Sequence, residues 1–140
     1  MTAGIRTAIV EDEPPARRRL ERLVAARPDL VLVGSFDSPV AARAVLGSVQ
    51  LLFLDVEMPF EGGFSFLASL PEPERPFVIF ATAHGRHAVR AFRHDAVDFL
   101  LKPFDESDFD EAVARARRRI EADALRRLAT GTGEIGRTHD

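Results

Sequence analysis

The chain has 140 residues, 46% hydrophobic and 29% charged, with a formal charge of −3, a balance that suits one folded domain with a real core and excludes a disordered chain. Without cysteine there is no disulfide framework, thiolate metal site or catalytic thiol, and a pI near 5.8 argues against nucleic-acid binding by this segment alone. No secretory h-region opens the chain and no apolar run nears the roughly 20 residues of a membrane span, so no membrane contact is expected and the expected location is the cytoplasm.

Residues 5–10 read as a short apolar strand, interrupted by Arg6 and Thr7, that ends on Glu11-Asp12-Glu13. Pro14 and Pro15 open a helix, since proline is tolerated in a first turn. Leu20, Leu23 and Val24 form its apolar stripe, and Arg17, Arg18, Arg19 and Arg22 its solvated side, until Pro28-Asp29 breaks it. Residues 30–33 are predicted as the second strand, closed by Gly34. Ser38 and Pro39 then make an N-cap and N1 pair for a helix carrying Val40, Ala44, Val45 and Leu46.

Leu51, Leu52, Phe53 and Leu54 are four consecutive apolar residues, as in a strand buried on both faces, and that strand ends on Asp55. Met58-Pro59 forbids further pairing, and Gly62-Gly63 lets the chain turn into a short helix with Phe64, Phe66, Leu67 and Leu70. Beyond a loop with Pro71, Pro73 and Pro76, residues 77–80 form the fourth strand, followed by Ala81-Thr82-Ala83. A helix with Ala88, Val89, Ala91 and Phe92 precedes the fifth strand, 97–101, which ends at Lys102-Pro103. The last helix starts near Asp105 with Phe109, Val113, Ala116 and Ile120 at helical spacing, and after Leu128 the tail reads as flexible.

Five strand–helix alternations call for an α/β fold: a flavodoxin-like, doubly wound (βα)5 unit whose five-stranded parallel sheet has the order 2-1-3-4-5. Sites in such sheets lie beyond the carboxyl ends of the strands, at the switch point between strands one and three. Glu11 and Asp12 end strand one, Asp55 strand three, Thr82 strand four and Lys102 strand five. Singly, each reads as a cap, a turn residue or an ion-pair partner; the set together points to a site. The 19 basic residues comprise 18 Arg and one Lys, and a lone Lys102 suggests a position that needs a compact point charge. Crowded carboxylates repel unless a cation joins them, and hard oxygen ligands suit Mg²⁺. Asp55 is then the candidate nucleophile toward phosphorus, with Lys102 and Thr82 to neutralise and hydrogen-bond phosphoryl oxygens.

Across roughly residues 5 to 120, the chain resembles a two-component response regulator receiver domain. The residues that carry the resemblance are Ile9-Val10-Glu11-Asp12-Glu13, Leu54-Asp55-Val56-Glu57-Met58-Pro59, Thr82-Ala83 and Lys102-Pro103. The resemblance implies Asp55 as phosphoacceptor, and Asp12, Asp55 and the Glu57 carbonyl as Mg²⁺ ligands with Glu11 acting through water. It also implies Thr82 and Phe99 as a switch pair, a cis Lys102–Pro103 peptide, a sensor histidine kinase as partner, and no catalysis beyond self-phosphorylation and self-dephosphorylation. Glu11 stands where Asp is commoner, and Gly62 where an Asp is often found. Glu11-Asp12-Glu13-Pro14-Pro15-Ala16-Arg17, together with the segments around 80–92 and 96–103, is similar to the LytR/AlgR branch, in which a LytTR DNA-binding domain follows the receiver. The expected organisation is a receiver over 1–122 and a helix extension with flexible linker over 123–140, either a stand-alone receiver or, as the favoured alternative, one excised from a longer regulator whose DNA contacts lie in an output domain absent from this chain.

His84, His87, His94 and His139 are expected to face solvent, and Arg115, Arg117, Arg118 and Arg119 to form a solvated helix face. Leu125 and Leu128 continue an apolar pattern past the expected domain edge, as a signalling linker or part of a homodimer contact through helix 4, strand 5 and helix 5. Two rivals remain: a Mg²⁺-dependent phosphohydrolase, which would want Asp rather than Glu57 two residues after its nucleophile, and a degenerate receiver serving only as a scaffold.

Overall fold

The computed structural model describes residues 4–59, 61–72 and 75–135. In chain order the elements are β1 (Ile5–Val10), α1 (Pro14–Ala25), β2 (Leu30–Phe36), α2 (Pro39–Ala42, running into a 3₁₀ turn at Arg43–Ser48), β3 (Leu51–Leu54) and α3 (Gly63–Ala68). There follow β4 (Phe77–Thr82), a 3₁₀ turn (Gly85–His87), α4 (Ala88–Arg93), β5 (Asp98–Leu101) and α5 (Glu106–Ile135). The strands are parallel and ordered β2-β1-β3-β4-β5, as the alternation required.

Successive strand residues point to opposite faces, and the core divides accordingly. Ile9, Leu51, Phe53 and Ile79 pack with Leu20 and Val24 of α1 and Phe109, Ala112, Val113 and Ala116 of α5. Val10, Leu52, Leu54 and Phe80 pack on the other side with Leu46, Phe64, Phe66 and Leu67. β3 is central and fully buried along its length, so neither face offers room for a polar side chain before Asp55. The Phe53 ring stacks on Phe109 with centroids 5.3 Å apart, tying the central strand to α5.

Three expectations need correction. Gly34 does not close β2. Thr7 pairs with Leu32 and Ala8 with Gly34, so Val33 is an extra residue bulged out of the ladder, and the strand runs on to Phe36. A Cβ on Gly34 would press into the Phe36 ring, so this glycine makes room for an aromatic rather than ending a strand. The second helix is a single α turn followed by a 3₁₀ turn; Leu46 is buried and Val45 packs on the core as expected, but Ala42 takes the remaining buried place while Ala44 is exposed and Val40 is 74% exposed. Finally, α5 is helical through Ile135, past Leu128, where a flexible tail was expected to begin; residues 136–140 lie outside the described residues. Its 30 residues give a rod of about 45 Å at the ~1.5 Å rise of an α-helix, with Leu125 and Leu128 both exposed.

Phe53→Ala removes a fully buried ring stacked on α5, and is expected to cost about 3–5 kcal/mol in denaturant unfolding. Leu125→Ser, at an exposed position beyond the sheet, should stay within about 0.5 kcal/mol of the parent chain in the same measurement.

Candidate functional site

The carboxyl ends of β1, β3, β4 and β5 bring Glu11, Asp12, Asp55, Thr82 and Lys102 to one rim. Each element delivers its residue for a local reason. β1 runs out of apolar residues at Glu11, which is wholly buried, and β3 does so at Asp55, 5% exposed. β4 continues through Thr82, two residues past its expected apolar stretch, and buries the threonine. The Lys102 N–H donates to the Thr82 carbonyl at 2.8 Å, which pins the β5 end to β4; the Lys102–Pro103 peptide that follows is cis.

Lys102 organises the charge. Its Nζ lies 2.6 Å from Glu11 Oε1, 3.8 Å from Asp55 Oδ2 and 3.8 Å from Glu13 Oε1. Burial alone would lower the ammonium pKa, but the Glu11 hydrogen bond and the Asp55, Glu11 and Glu13 charges together raise it above the usual lysine value. Glu11 is otherwise fully engaged: Oε2 accepts the Glu13 N–H at 3.1 Å, and its main-chain carbonyl accepts from Arg17 Nη1 at 2.9 Å. Asp55 keeps only long contacts, with the Glu57 N–H 3.4 Å from Oδ1. Burial, and then the neighbouring Glu11 charge, push its pKa up to about 8.

Oxygens of Glu11, Asp12 and Asp55 lie within 4.8 Å of one another. Asp12 Oδ1 is buried without a hydrogen-bond partner, among the described residues a departure from the rule that buried polar atoms are satisfied. Three hard oxygen donors, one of them unsatisfied, in a pocket where carboxylates repel, fit a divalent cation such as Mg²⁺. Gly63 closes the loop after Asp55: its N–H donates to the Val56 carbonyl at 2.8 Å, and a Cβ there would collide with the Asp55 carbonyl. Beside Lys102 an apolar groove of about 460 Å³ opens between Pro15, Ala16, Leu20, Pro103 and Phe104.

Phe99 lies on β5, half-buried against the core on the α2–α4 side, paired in register with Phe80 while Thr82 pairs with Leu101. Of the histidines expected to face solvent, His84 is 40% exposed, whereas His87 and His94 are packed in. His84 and His87 bind the Glu57 carboxylate, and the His94 ring stacks on Phe64 with centroids 5.0 Å apart, its pKa lowered by burial and by Arg90 and Arg75. His139 lies outside the described residues. The Glu57 side chain was missed entirely, since a residue singled out for its carbonyl gave no signal for its carboxylate. Of the α5 arginines expected on a solvated face, Arg115 pairs with Asp98, Arg117 with Asp29 and Arg119 with Asp95.

Three acids, a hydroxyl and one ammonium at the switch point of a 2-1-3-4-5 sheet define a regulatory α/β domain. Residues 7–114 match the response regulator receiver domain family, and the chain belongs to it. The transcriptional regulatory protein BtsR of Escherichia coli K12 is 35% identical over 115 residues, covering 81% of this chain and 48% of BtsR. The sensory transduction protein LytT of Enterococcus faecalis is also 35% identical over 115 residues, covering 80% of this chain and 48% of LytT. These similarities accord with the LytR/AlgR resemblance. The chain spans about half the length of the curated relatives it matches. Among solved structures, the response regulatory domain of mrkE from Klebsiella pneumoniae superposes with a TM-score of 0.74 at 31% identity, covering 84% of this chain and 99% of that one. The REC domain of AraT from Geobacillus stearothermophilus shares the fold, with a TM-score of 0.73 at 24% identity, covering 86% of this chain and 98% of that one. Among the described residues no helix is long and apolar enough to cross a membrane.

The raised pKa sets a pH dependence. Because the folded value of about 8 exceeds the ordinary 3.8, stability from a protonated Asp55 is complete below 3.8 and lost as pH rises through about 8. In metal-free buffer Asp55→Asn, which keeps the shape and removes the charge, should raise Tm by several degrees above about pH 8 and by little near about pH 5. Thermal melts with chelator across that range read the difference.

Proposed function

We propose that this chain is a phosphorylation-controlled switch: Asp55 accepts a phosphoryl group from a sensor histidine kinase, with Mg²⁺ as cofactor, and the change passes to an output. The observation that carries this reading is the meeting of Glu11, Asp12 and Asp55 oxygens within 4.8 Å around an unsatisfied Asp12 oxygen, with Lys102 alongside. Asp12, Asp55 and the Glu57 carbonyl would hold the cation directly. Glu11 acts through water, in keeping with two carboxylate oxygens already taken by Lys102 and the Glu13 N–H. The cation would supply positive charge that keeps Asp55 ionised at neutral pH and offsets charge on the phosphoryl oxygens.

An Asp55 carboxylate oxygen forms a bond to phosphorus while the P–N bond of a phosphohistidine breaks, its electron pair remaining on the imidazole nitrogen. Lys102 Nζ, 3.8 Å from Asp55 Oδ2, faces one phosphoryl oxygen, and the Thr82 hydroxyl donates to another. Water later hydrolyses the acyl phosphate, so the domain catalyses only its own modification and removal. The apolar groove beside Lys102 offers the donor protein a footing next to the reacting atoms.

Thr82 and Phe99 form the switch pair that passes the change to the α4–β5–α5 face, which serves homodimerisation. The receiver occupies residues 1–122, and 123–140 link it to an output, a LytTR DNA-binding domain acting in transcription. Relatives of which this chain covers about half, one of them a transcriptional regulatory protein, support that organisation, and the cytoplasm is the compartment it implies.

Intact mass after incubation with phosphoramidate and Mg²⁺ tests the reading. One phosphoryl adduct is expected on the parent chain and none on Asp55→Asn. Lys102→Ala should form the adduct at least about tenfold more slowly, having lost a charge-assisted contact to the transferred group. An adduct that persists in Asp55→Asn, or its absence from the parent chain together with no Mg²⁺-dependent beryllofluoride binding, would sink the proposal.

A further inference from the structure

The carboxylate of Glu57 takes three side chains from one short segment. Arg86 Nη2 and His87 Nε2 each lie 2.7 Å from its Oε2, and His84 Nε2 lies 3.0 Å from Oε1. Arg86 Nη1 also lies 3.1 Å from His84 Nδ1, an arrangement that makes Nδ1 the acceptor and leaves the His84 proton on Nε2, facing Glu57. The His87 hydrogen bond first, and then the Arg86 charge, hold the Glu57 carboxyl below its ordinary range.

All three partners belong to residues 84–87, the turn between β4 and α4, and the backbone N–H of His84 also reaches back to Thr82 Oγ1 at 3.4 Å. A second anchor lies further along. Phe64, next to Gly63 at the start of α3, has the Arg90 guanidinium 4.3 Å from its ring centre, the His94 ring stacked at 5.0 Å and the His87 ring edge-on at 5.8 Å. α4 has only six residues, too few to persist as a helix without tertiary support. Its attachment to the segment that carries Asp55 thus runs through a carboxylate at its start and an aromatic ring along its flank.

We infer that Glu57 is a positioning residue that latches the start of α4 to the loop following Asp55, so that a change at Asp55 reaches α4 through a carboxylate two residues further on. The inference rests on the reading of Asp55 as phosphoacceptor, and deepens it by naming a mechanical link between that residue and α4. Any one exposed ion pair is weak, but three groups from one segment converging on one carboxylate share a single geometry and are lost together. Displacement of the 55–57 backbone moves the carboxylate, and the turn must follow or let go.

Hydrogen exchange over residues 84–94 of the full chain tests the latch, with Glu57→Gln, Glu57→Ala, Arg86→Ala and the double variant Glu57→Ala/Arg86→Ala. At rest, Glu57→Ala should speed exchange there on the order of threefold to tenfold, and Glu57→Gln by less, as for local opening after loss of a small ion network. The double variant should be no faster than Glu57→Ala alone, and high salt should bring the parent chain toward the variants, a response that a packing defect would not give. Unchanged exchange, or additive effects of the two substitutions, overturns the latch. With Mg²⁺ and beryllofluoride, the parent chain should respond both at 55–64 and at 84–94, and Glu57→Ala only at 55–64. A full response at 84–94 in Glu57→Ala overturns the link to Asp55 while leaving the phosphoacceptor reading standing. No response at 55–64 in the parent chain defeats that reading and the link with it.

Discussion

The contact on which the rest of the site depends is the ion pair between Lys102 and Glu11. Glu11 is wholly buried, and a lone carboxylate there would be prohibitive without a partner. Lys102 satisfies it at 2.6 Å and still reaches Asp55 at 3.8 Å, so one ammonium compensates two acids from two different strands. The lysine is itself fixed by its N–H on the Thr82 carbonyl, which ties the ends of β1, β3, β4 and β5 into one electrostatic unit. Within that unit, where Asp12 Oδ1 also lacks a hydrogen-bond partner, Asp55 is left without a short one. Its stabilisation is incomplete by design of the neighbourhood, and an incompletely compensated carboxylate is the one available to bond to something else.

Much of this was legible in the sequence because it follows from chain periodicity. Four consecutive apolar residues before Asp55 mean a strand buried on both faces, and a buried strand between helices means a parallel sheet with its polar residues gathered at one rim. What the sequence hid were effects of three-dimensional neighbours. Gly34 read as a terminator because a glycine in isolation permits a turn, whereas here it accommodates the Phe36 ring beside a bulge. The second helix was legible at Leu46, which is buried, but not at Ala44, which is exposed in a 3₁₀ segment that repeats every three residues. The end of α5 was misjudged because Gly131 and Gly133 weaken a helix without forbidding it.

The histidines and Glu57 illustrate a different blind spot. Their partners are 27 to 30 residues apart in the chain, and only the adjacency of β3 and β4 brings the two loops together. Charged and imidazole side chains on loops default to solvent in any one-dimensional reading, so a network built wholly of them has no signature beyond its composition. By contrast, the acid rim could be assembled in advance, since each member is indexed by the strand it terminates.

The scarcity of lysine has a consequence for the chemistry of the whole polypeptide. Lys102 is the only side-chain amine in the sequence, and it is the group that the acid rim holds in its protonated, non-nucleophilic form. Acylating reagents act on free amines, so side-chain amine reactivity across this domain is set by the charge state of a single pocket. Modification of one atom would report whether Glu11 and Asp55 still claim that proton, giving the domain a built-in chemical gauge where other proteins would offer a dozen indistinguishable surface amines.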